Sequence, residues 1–261
     1  MTDLCDLSII VPTYNERERL EELVASVSAV FAAHGIAGEV VVVDDHSPDG
    51  TGAIADALAA RYRVQVVHRE GKLGLGSAVI AGFAKARGAV LGVMDADLSH
   101  PPSVLPGMLA AFRALDVDVV IGSRYIPGGA SKNWPFLRLA MSRFACWLAW
   151  PLTPVRDATS GLFVVKRSAI DDVQISAAGF KICLELLIRS RIGSVAEVPY
   201  VFADRAAGES KMTLREALGY FVQLRGLYAL TFLGRRKPRA RYTRVSESEL
   251  RDLIVRGFSQ A

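Results

Sequence analysis

The sequence predicts an α/β fold in which a mostly parallel sheet is flanked by helices. Short runs rich in β-branched residues alternate with helical patterns through the first half of the chain, and polar residues follow directly after each run. The chain has 261 residues, of which 51% are hydrophobic and 22% are charged. This composition is enough for one large domain with a buried core, and it excludes disorder along the whole chain.

Five strands are expected in the first half, at residues 7–12, 39–44, 64–68, 89–94 and 118–122. Between the first two, apolar residues from Leu20 to Phe31 recur at helical spacing, which predicts an amphipathic helix. Further helices are predicted at residues 51–61, 74–87 and 103–115. Strands and helices that alternate in this way form βαβ units, whose ligands bind at the carboxyl ends of the strands.

Two amphipathic helices are predicted in the second half, near residues 136–150 and 214–233. All three tryptophans, Trp134, Trp147 and Trp150, lie in or beside the first of them. Tryptophan favours the membrane interface, because its ring is apolar while its N–H needs a polar partner. The pattern leaves two interpretations open: both helices pack onto the sheet as ordinary core, or they form an interfacial pair with a basic flank.

Basic charge is concentrated at the end of the chain. Residues 235–261 carry eight Arg or Lys and three Asp or Glu, whereas the whole chain has a net charge of only +4. We therefore expect a nearly neutral domain over residues 1–234, including both amphipathic helices, and a basic, flexible tail over residues 235–261. Such a tail suits an anionic membrane surface, or a separate membrane-spanning protein, better than a nucleic acid.

The cysteine content and the hydropathy pattern indicate which covalent cross-links, metal sites and membrane segments the chain can contain. The three cysteines are widely spaced and include no C-x-x-C pair, so neither a disulfide framework nor a zinc site is expected. The first residues lead directly into a strand, and no export signal is expected. The longest uncharged apolar stretches, residues 144–155 and 226–234, are shorter than the roughly 20 residues that cross a bilayer, so membrane contact is expected to be peripheral.

Two aspartates mark the loop after the fourth predicted strand. Asp95 and Asp97 are two residues apart, and carboxylates at this spacing can face one hard divalent cation that bridges a diphosphate. Ser99 can add a hydroxyl or a water-mediated ligand. His100 is expected to pack or to form hydrogen bonds, and not to bind the metal.

Two other motifs are rejected on their details. Residues 45–56 imitate a calcium-binding loop, but a strand precedes them, Pro48 interrupts them and Asp56 replaces the bidentate glutamate. A turn that presents Asp45 to a nucleoside is simpler. Residues 71–76 are glycine-rich, but their spacing does not fit a dinucleotide-binding fingerprint. These glycines are expected to let a helix N-terminus approach a ligand or a neighbouring loop.

Seven blocks of the sequence together carry a resemblance to a known family. They are residues 11–16 (VPTYNE), 43–51 (VDDHSPDGT), 74–76 (GLG), 94–101 (MDADLSHP), 122–125 (GSRY), 159–161 (TSG) and 204–211 (DRAAGESK). In this combination the chain resembles the family-2 glycosyltransferases of GT-A fold, and within them the dolichyl- or polyprenyl-phosphate mannose synthases. Ser99 departs from the pattern, because some members have glutamine there.

The resemblance implies an enzyme that transfers mannose from GDP-mannose to a polyprenyl (dolichyl-type) monophosphate, with inversion and with Mg²⁺ or Mn²⁺. It implies a peripheral location at the cytoplasmic face of a membrane. By position in the motifs, the nucleotide-sugar donor would contact Pro12, Tyr14, Glu16, Val43, Asp45 and Ala96. The metal and the diphosphate would be bound by Asp95, Asp97 and Ser99. The donor phosphates would be bound by Arg205 and Lys211, and the acceptor phosphate by Arg124, Arg138 and Ser142. Of these, Asp97, Arg124 and Arg138 are the expected catalytic residues.

Spacing supports the acceptor site independently. Arg138 and Ser142 are four residues apart on a predicted helix and share a face beside the tryptophan-rich stretch. A phosphate acceptor also accounts for the lack of an obvious general base, because the second pKa of a phosphate monoester is about 6 and its oxygens are anionic at neutral pH. Arg143 is a weaker candidate for this site. Asp157 and Glu185 are candidates for sugar or supporting contacts.

Two alternatives stay open. A related enzyme would use UDP-glucose or another UDP-sugar with the same lipid, and the loops alone do not separate the two donors. A non-catalytic, nucleotide-binding scaffold that recruits a membrane partner would carry a similar pocket, but its partner binding would not depend on Asp97.

Overall fold

The computed structural model of the chain describes residues 5–171, 181–203, 214–233 and 239–258. The described residues contain ten β-strands and eight α-helices. The strands are β1 (Leu7–Thr13), β2 (Gly38–Asp44), β3 (Val64–His68), β4 (Val90–Val93), β5 (Val119–Ser123), β6 (Ala130–Ser131), β7 (Phe163–Lys166), β8 (Ser194–Pro199), β9 (Val201–Phe202) and β10 (Arg241–Arg244). The helices are α1 (Leu20–Ala33), α2 (Thr51–Ala59), α3 (Leu75–Lys85), α4 (Leu105–Leu115), α5 (Phe136–Ala149), α6 (Ile182–Arg189), α7 (Leu214–Leu233) and α8 (Glu247–Phe258).

Eight of the strands form one mixed sheet in the order β10-β8-β5-β7-β4-β1-β2-β3. β7 runs antiparallel to both of its neighbours, β4 and β5, and the other adjacent strands of this sheet pair in parallel. β6 and β9 form a second, two-stranded parallel sheet. The mostly parallel sheet predicted from the sequence is therefore confirmed, and its carboxyl edge gathers the loops after β1, β2, β4 and β5.

Helices cover both faces of the sheet, so its central strands are buried on both sides. Every residue of β2 is buried. Alternate residues of β1 enter different cores, because successive side chains of a strand point to opposite faces. Ile9 and Val11 pack with Leu23 of α1, whereas Ile10 packs with Val79 of α3. This double burial is typical of parallel strands and explains their nearly continuous hydrophobic runs.

The predicted elements of the first half agree with the structure. β1 to β5 and α1 to α4 lie within a few residues of the predicted ranges. The sequence patterns do not predict β7 or β8. β7 has only four residues and inserts between β4 and β5, which both precede it in the chain, so its place depends on long-range pairing.

The end of the chain differs from the flexible tail expected from its charge. β10 pairs with β8 at the edge of the main sheet. α8 packs on α4, where the side chains of Leu250 and Ile254 lie against Gly107, and Val245 between β10 and α8 is buried. The expectation of flexibility is therefore wrong for residues 239–258. Leu250, Leu253 and Phe258 of α8 are partly buried where they pack against the core, and this packing outweighs the charge pattern.

α5 and α7 lie against one another through two tyrosine hydroxyls of α7. Tyr220 donates to the carbonyl of Ala145 at 2.6 Å, and Tyr228 donates to the carbonyl of Leu148 at 2.7 Å. Both acceptors belong to α5. The two amphipathic helices predicted in the second half thus form a pair.

α7 buries one side and exposes another. Tyr220, Leu224 and Leu227 are buried in the core, as expected for packing on the sheet, whereas the Phe221 side chain is 51% exposed. The interpretation as ordinary core therefore holds for one side of α7, and the other side leaves apolar side chains exposed. Within the described residues, no helix has both the length and the apolar character needed to span a bilayer.

Candidate active site

Sharp turns end three strands at the carboxyl edge of the sheet. Asn15 after β1, His46 after β2 and Leu98 after β4 adopt positive φ angles of 60°, 58° and 62°. Non-glycine residues rarely adopt this conformation, and when they do it is commonly at functional sites. The polar loops predicted to converge here are thus held in tight, specific bends.

The Asp95–Ser99 loop contains one of these turns. The Ser99 N–H donates to Asp97 Oδ1 at 3.0 Å, and Arg19 donates to the Asp97 carbonyl at 3.0 Å. Leu98, between Asp97 and Ser99, adopts the left-handed backbone conformation that lets the chain reverse its direction. Asp97 is buried, while the Asp95 side chain remains 36% exposed. The two carboxylates thus differ in exposure, although both lie on the loop after β4.

An unsatisfied hydroxyl supports a cation site at this loop. Ser99 Oγ is buried and has no hydrogen-bond partner among the described residues. A buried polar atom of this kind calls for a ligand or an ordered water, and hydroxyl and carboxylate oxygens suit a hard cation. Asp95, Asp97 and Ser99 thus fit Mg²⁺ or Mn²⁺. Among the described residues, no group of three or more His, Cys, Asp or Glu is arranged to hold a metal ion.

His100 packs beneath the Asp95–Ser99 loop and forms a hydrogen bond with its backbone. Its Nδ1 accepts the Asp95 N–H at 3.2 Å, and its ring packs edge-on against Tyr200 and Phe202. Burial lowers the pKa of His100, although the Asp95 carboxylate opposes this shift. The imidazole therefore packs and accepts a backbone hydrogen bond, as expected. Gly161 packs close to the same loop, since a Cβ there would lie 3.1 Å from Asp95 Oδ2.

Asp45 organises the loop expected at the nucleoside. Its buried carboxylate pairs with Arg69 and accepts the Gly74 N–H at 2.9 Å. Gly74 has a φ of 96°, which favours glycine, and the N-terminus of α3 follows it. The glycine-rich segment thus brings a helix N-terminus close to a neighbouring loop, as expected. Much of the Asp45 hydrogen-bonding capacity is used in holding the Arg69–Gly74 segment.

The other expected donor contacts differ in exposure. Pro12, Tyr14 and Glu16 are partly exposed at the end of β1. Val43 and Ala96 are 0% and 3% exposed, so neither residue presents appreciable surface to a ligand. Sequence position places these two residues near the site, but their burial rules out a side-chain contact.

Lys72 lies over one of the donor-site aromatic rings. Its Nζ is 3.8 Å from the centre of the Tyr14 ring, a cation–π distance. The contact joins the segment after β3 to the loop after β1. The segment after β3 and the loop after β1 are therefore in contact at their exposed ends.

Arg124 forms a buried ion pair with Asp157. Its Nε and Nη2 each lie 2.7 Å from an Asp157 oxygen, and its backbone N–H donates to Asp157 Oδ2 at 2.9 Å. Burial by itself would lower the pKa of the guanidinium, but Asp157 raises it well above its ordinary value. Arg124 thus stays charged, and its Nη1 is the edge left for an anion. Asp157, a candidate for a sugar or supporting contact in the sequence, holds this arginine.

Two arginines meet at one indole ring. The guanidinium carbon of Arg138 is 4.1 Å from the centre of the Trp134 ring, and that of Arg124 is 5.2 Å away. Ser142 accepts a hydrogen bond from the Tyr125 hydroxyl at 2.7 Å. The three residues expected at the acceptor phosphate are thus brought to one cluster around Trp134 and Tyr125. Trp134, read from the sequence as an interfacial residue, belongs to this cluster, and its buried Nε1 has no hydrogen-bond partner in the described part of the chain.

Sequence reasoning missed two charged groups near this cluster. Lys181 is partly buried, and its pKa is lowered by burial and by the charge of Arg124, against the opposing effect of Asp95. Glu197 of β8 is buried and accepts the backbone N–H groups of Arg156 and Asp157. A glutamate within an otherwise apolar strand is the signal in the sequence that would have singled out Glu197.

Four further expected residues remain to be located. Arg205 and Lys211, expected at the donor phosphates, lie outside the described residues. Glu185 is buried in α6 and accepts a hydrogen bond from Gln223 of α7 at 3.0 Å. It therefore supports the junction of α6 and α7. Arg143, the weaker acceptor candidate, is exposed, with its guanidinium carbon 5.6 Å from the centre of the Tyr125 ring.

An extended apolar surface borders the arginine cluster. Twelve of the fifteen large hydrophobic side chains that are exposed among the described residues belong to α5, α7 or the residue after α5. We call them the apolar face: Phe136, Leu137, Met141, Phe144, Trp147, Trp150, Leu218, Phe221, Val222, Leu230, Phe232 and Leu233. Exposed apolar patches of this extent mark sites of interaction with proteins or membranes.

Comparison with known proteins agrees with this geometry. Dolichol-phosphate mannosyltransferase of Pyrococcus furiosus is 43% identical over 228 residues, which cover 86% of this chain and 63% of that protein. The chain therefore spans less than two thirds of that relative's length. Polyprenol monophosphomannose synthase of Mycolicibacterium smegmatis is 43% identical over 226 residues, covering 80% of this chain and 83% of that protein.

Solved structures and a family model complete the comparison. Glucosyl-3-phosphoglycerate synthase of Mycobacterium tuberculosis, crystallised with Mn²⁺, UDP and glucosyl-3-phosphoglycerate, superposes with a TM-score of 0.63 at 21% identity, covering 86% of this chain and 79% of that one. This likeness shows the GT-A fold. Residues 8–174 match the model of glycosyl transferase family 2. The aspartate loop at the edge of a GT-A sheet and the extent of these matches lead to one conclusion: the chain belongs to glycosyl transferase family 2.

Proposed function

We propose that the protein transfers mannose from GDP-mannose to the phosphate of a polyprenyl (dolichyl-type) monophosphate, giving polyprenyl-phosphate mannose and GDP. The observation that carries this proposal is the position of two arginines beside the apolar face. Arg124 and Arg138 meet at Trp134, and Phe136, Leu137 and Met141 of the same helical segment are exposed next to them. A phosphate joined to a long isoprenoid chain matches an anion site that borders an apolar surface.

The donor would bind at the loops after β1, β2 and β4. Pro12, Tyr14, Glu16 and Asp45 are the proposed nucleoside contacts, with backbone atoms of Val43 and Ala96 nearby. Arg205 and Lys211 are proposed to bind the donor phosphates. The names of the relatives favour a mannosyl donor, which supports GDP-mannose over a UDP-sugar.

Asp95, Asp97 and Ser99 would hold the divalent cation, Mg²⁺ or Mn²⁺. When bound, such an ion supplies positive charge that stabilises a departing diphosphate. The Arg19 hydrogen bond to the Asp97 carbonyl and the Ser99 N–H bond to its carboxylate keep the loop in one conformation. The aspartates therefore need little reorganisation to bind.

In the proposed reaction an oxygen of the acceptor phosphate attacks the anomeric carbon of mannose. The new carbon–oxygen bond forms on the face opposite the breaking bond to the GDP oxygen, which inverts the configuration and releases GDP. Arg124 and Arg138 orient the attacking phosphate and reduce its repulsion from the donor. No side chain has to remove a proton, because the attacking oxygen is already anionic at neutral pH.

The apolar face supports a peripheral location at the cytoplasmic surface of a membrane. Its tryptophans and phenylalanines suit the interface between headgroups and acyl chains. The basic residues near the end of the chain are proposed to add attraction to anionic lipids or to a membrane-spanning partner. This placement would bring the lipid phosphate to the arginine cluster without removing its isoprenoid chain from the bilayer.

The direct test is incubation of the protein with GDP-mannose, a short polyprenyl phosphate and Mg²⁺, followed by mass analysis of the lipid extract. We expect a lipid whose mass has increased by one hexose unit, and no such product from the Asp97→Ala variant. Turnover with UDP-glucose and none with GDP-mannose would replace the donor in this proposal. No transfer with either donor would favour a scaffold that binds nucleotide.

A further inference from the structure

A line of hydrogen bonds leads from the C-terminal strand to Arg124. It begins at Tyr242 of β10, whose hydroxyl donates to Glu197 Oε2 at 2.7 Å. β10 pairs in parallel with β8 in a register that sets Tyr242 opposite Val195 and Arg244 opposite Glu197. Val195 and Glu197 are two residues apart and share a face of the sheet, so the Tyr242 ring lies along that face toward Glu197.

Glu197 also forms hydrogen bonds with the turn at residues 156–157, before β7. Its carboxylate is fully buried, and its two oxygens accept the backbone N–H groups of Arg156 at 2.8 Å and Asp157 at 2.9 Å. The conformation of the turn at residues 156–157 therefore depends on the orientation of one carboxylate. The Tyr242 hydroxyl is one of the donors that set this orientation.

Asp157 completes the connection. Its two carboxylate oxygens hold the Nε and Nη2 of Arg124. The guanidinium then lies against Trp134, with Arg138 at the same ring. A rotation of Asp157 would move the Nη1 edge that Arg124 presents to the acceptor.

β10 is itself fixed by packing and not by Tyr242 alone. Val245 directly after β10 is buried, and Leu250 and Ile254 of α8 pack against Gly107 of α4. Removal of the Tyr242 hydroxyl should therefore leave the strand in place. The chain thus offers a substitution that changes the hydrogen bond and little else.

From this geometry we infer that Tyr242 and Glu197 are positioning residues for Arg124, and that the folded C-terminal segment sets the geometry of the acceptor-phosphate site. The inference rests on the proposed role of Arg124 at the acceptor. It assigns a function to the part of the chain whose charge pattern indicates only a basic tail.

The test compares Tyr242→Phe with Ser194→Ala in the full chain. Ser194 Oγ donates to Asp118 Oδ2 and accepts the Asp118 N–H, both at 3.1 Å, at the opposite end of β8. Its removal therefore also deletes side-chain hydrogen bonds of this strand without touching the line to Arg124. For Tyr242→Phe we expect kcat/KM for a short polyprenyl phosphate to fall about threefold to tenfold, the equivalent of one hydrogen bond, with the KM for GDP-mannose unchanged. Ser194→Ala should change neither constant.

A second readout does not depend on turnover. Exchange of the Arg124 Nε–H with water, followed by ¹⁵N NMR, should accelerate in Tyr242→Phe and stay at the wild-type rate in Ser194→Ala. Unchanged exchange in Tyr242→Phe, or an equal change in both variants, overturns the inference. A wild-type protein that transfers no mannose would reject the proposed function, and the exchange rates would still decide whether Tyr242 positions Arg124.

Discussion

The Arg124 guanidinium and the Asp157 carboxylate form a bidentate ion pair inside the protein, with both side-chain contacts at 2.7 Å. The two side chains are 7% and 0% exposed. A buried charge that loses its partner is strongly destabilising, because neither water nor another group compensates it. The pair therefore contributes to the stability of the fold as well as to the proposed acceptor site.

Replacement of Asp157 tests this double role. In Asp157→Asn an amide replaces one carboxylate oxygen, and we expect the free energy of unfolding to fall by about 3–5 kcal/mol. Urea unfolding measures the change. The matched control is Asp118→Asn, whose carboxylate accepts the N–H groups of Gly193 and Ser194 but holds no guanidinium. An equal loss in both variants would contradict the importance assigned to the buried charge.

Loss of the second aspartate of the 95–97 pair should abolish cation binding and transfer. For Asp97→Ala we expect Mn²⁺ binding, measured by calorimetry in the presence of GDP, to disappear and kcat to fall by at least about 10²–10³-fold. The fold should persist in circular dichroism. Asp56→Ala, which removes an exposed carboxylate paired with His68, is the control and should bind Mn²⁺ as the wild type does. Unaltered Mn²⁺ affinity in Asp97→Ala would remove this loop from the proposed mechanism.

The apolar face should govern attachment to lipid. Phe144 and Trp147 stack at 5.7 Å and are 52% and 61% exposed, so transfer of either ring into an interface is favourable by about 1.5–3 kcal/mol. We expect the double variant Phe144→Ser, Trp147→Ser to bind vesicles at least tenfold more weakly in a sedimentation assay. Val255→Ser on α8, where the side chain is 62% exposed outside the apolar face, should bind like the wild type. Equal binding by all three proteins would count against a membrane role for this surface.

The buried carboxylate of Glu39, a residue of β2, should make stability depend on pH. Burial alone would raise the pKa of Glu39, but hydrogen bonds from Ser8 and Arg87 outweigh it, so the pKa is lowered. A lowered folded-state pKa means that this stabilisation is present above the ordinary value of 4.5 and is lost as the pH falls through the folded-state pKa.

The corresponding variant is Glu39→Gln. We expect its free energy of unfolding to be lower than that of the wild type by about 1–3 kcal/mol at neutral pH, and the difference to shrink in acid. Unfolding in urea at a series of pH values measures both effects. Glu21→Gln, at an exposed ion pair with Arg61, should show little change at any pH. A pH-independent difference for Glu39→Gln would show that its carboxylate charge is not the cause.

The three thiols should react slowly in the folded protein. Cys5, Cys146 and Cys183 are all buried. Burial raises the pKa of each, that of Cys146 to about 11, and the thiolate is the reactive form. Titration with a chromogenic disulfide should therefore find three rapidly reacting thiols only after unfolding. Rapid reaction of any one of them in native protein would contradict the burial described here.

The predictable part of the candidate site is the part encoded in short stretches of chain. Asp95, Asp97 and Ser99 lie within one loop, and the strand before them is a buried hydrophobic run that a sequence pattern identifies. Arg138 and Ser142 share one helix, so their spacing predicts their proximity. Local hydrophobic periodicity is likewise enough to predict α1 to α5 and β1 to β5.

The partners of these residues depend on distant parts of the chain. Asp157 follows Arg124 by 33 positions, and Tyr242 follows Glu197 by 45. Their contacts exist only because β7 enters the middle of the sheet and β10 closes its edge. No periodic pattern in either segment specifies which strand it will pair with or in which register.

The amino-acid sequence by itself determined the class of fold, the aspartate loop and the two amphipathic helices, because each follows from residue types a few positions apart. Only the tertiary structure decided that residues 239–258 fold onto the domain, that Asp157 holds Arg124 and that Trp134 joins two arginines. The reason is physical: burial and strand pairing are properties of surfaces assembled from distant segments, and the free energy of that assembly is not contained in any one of them.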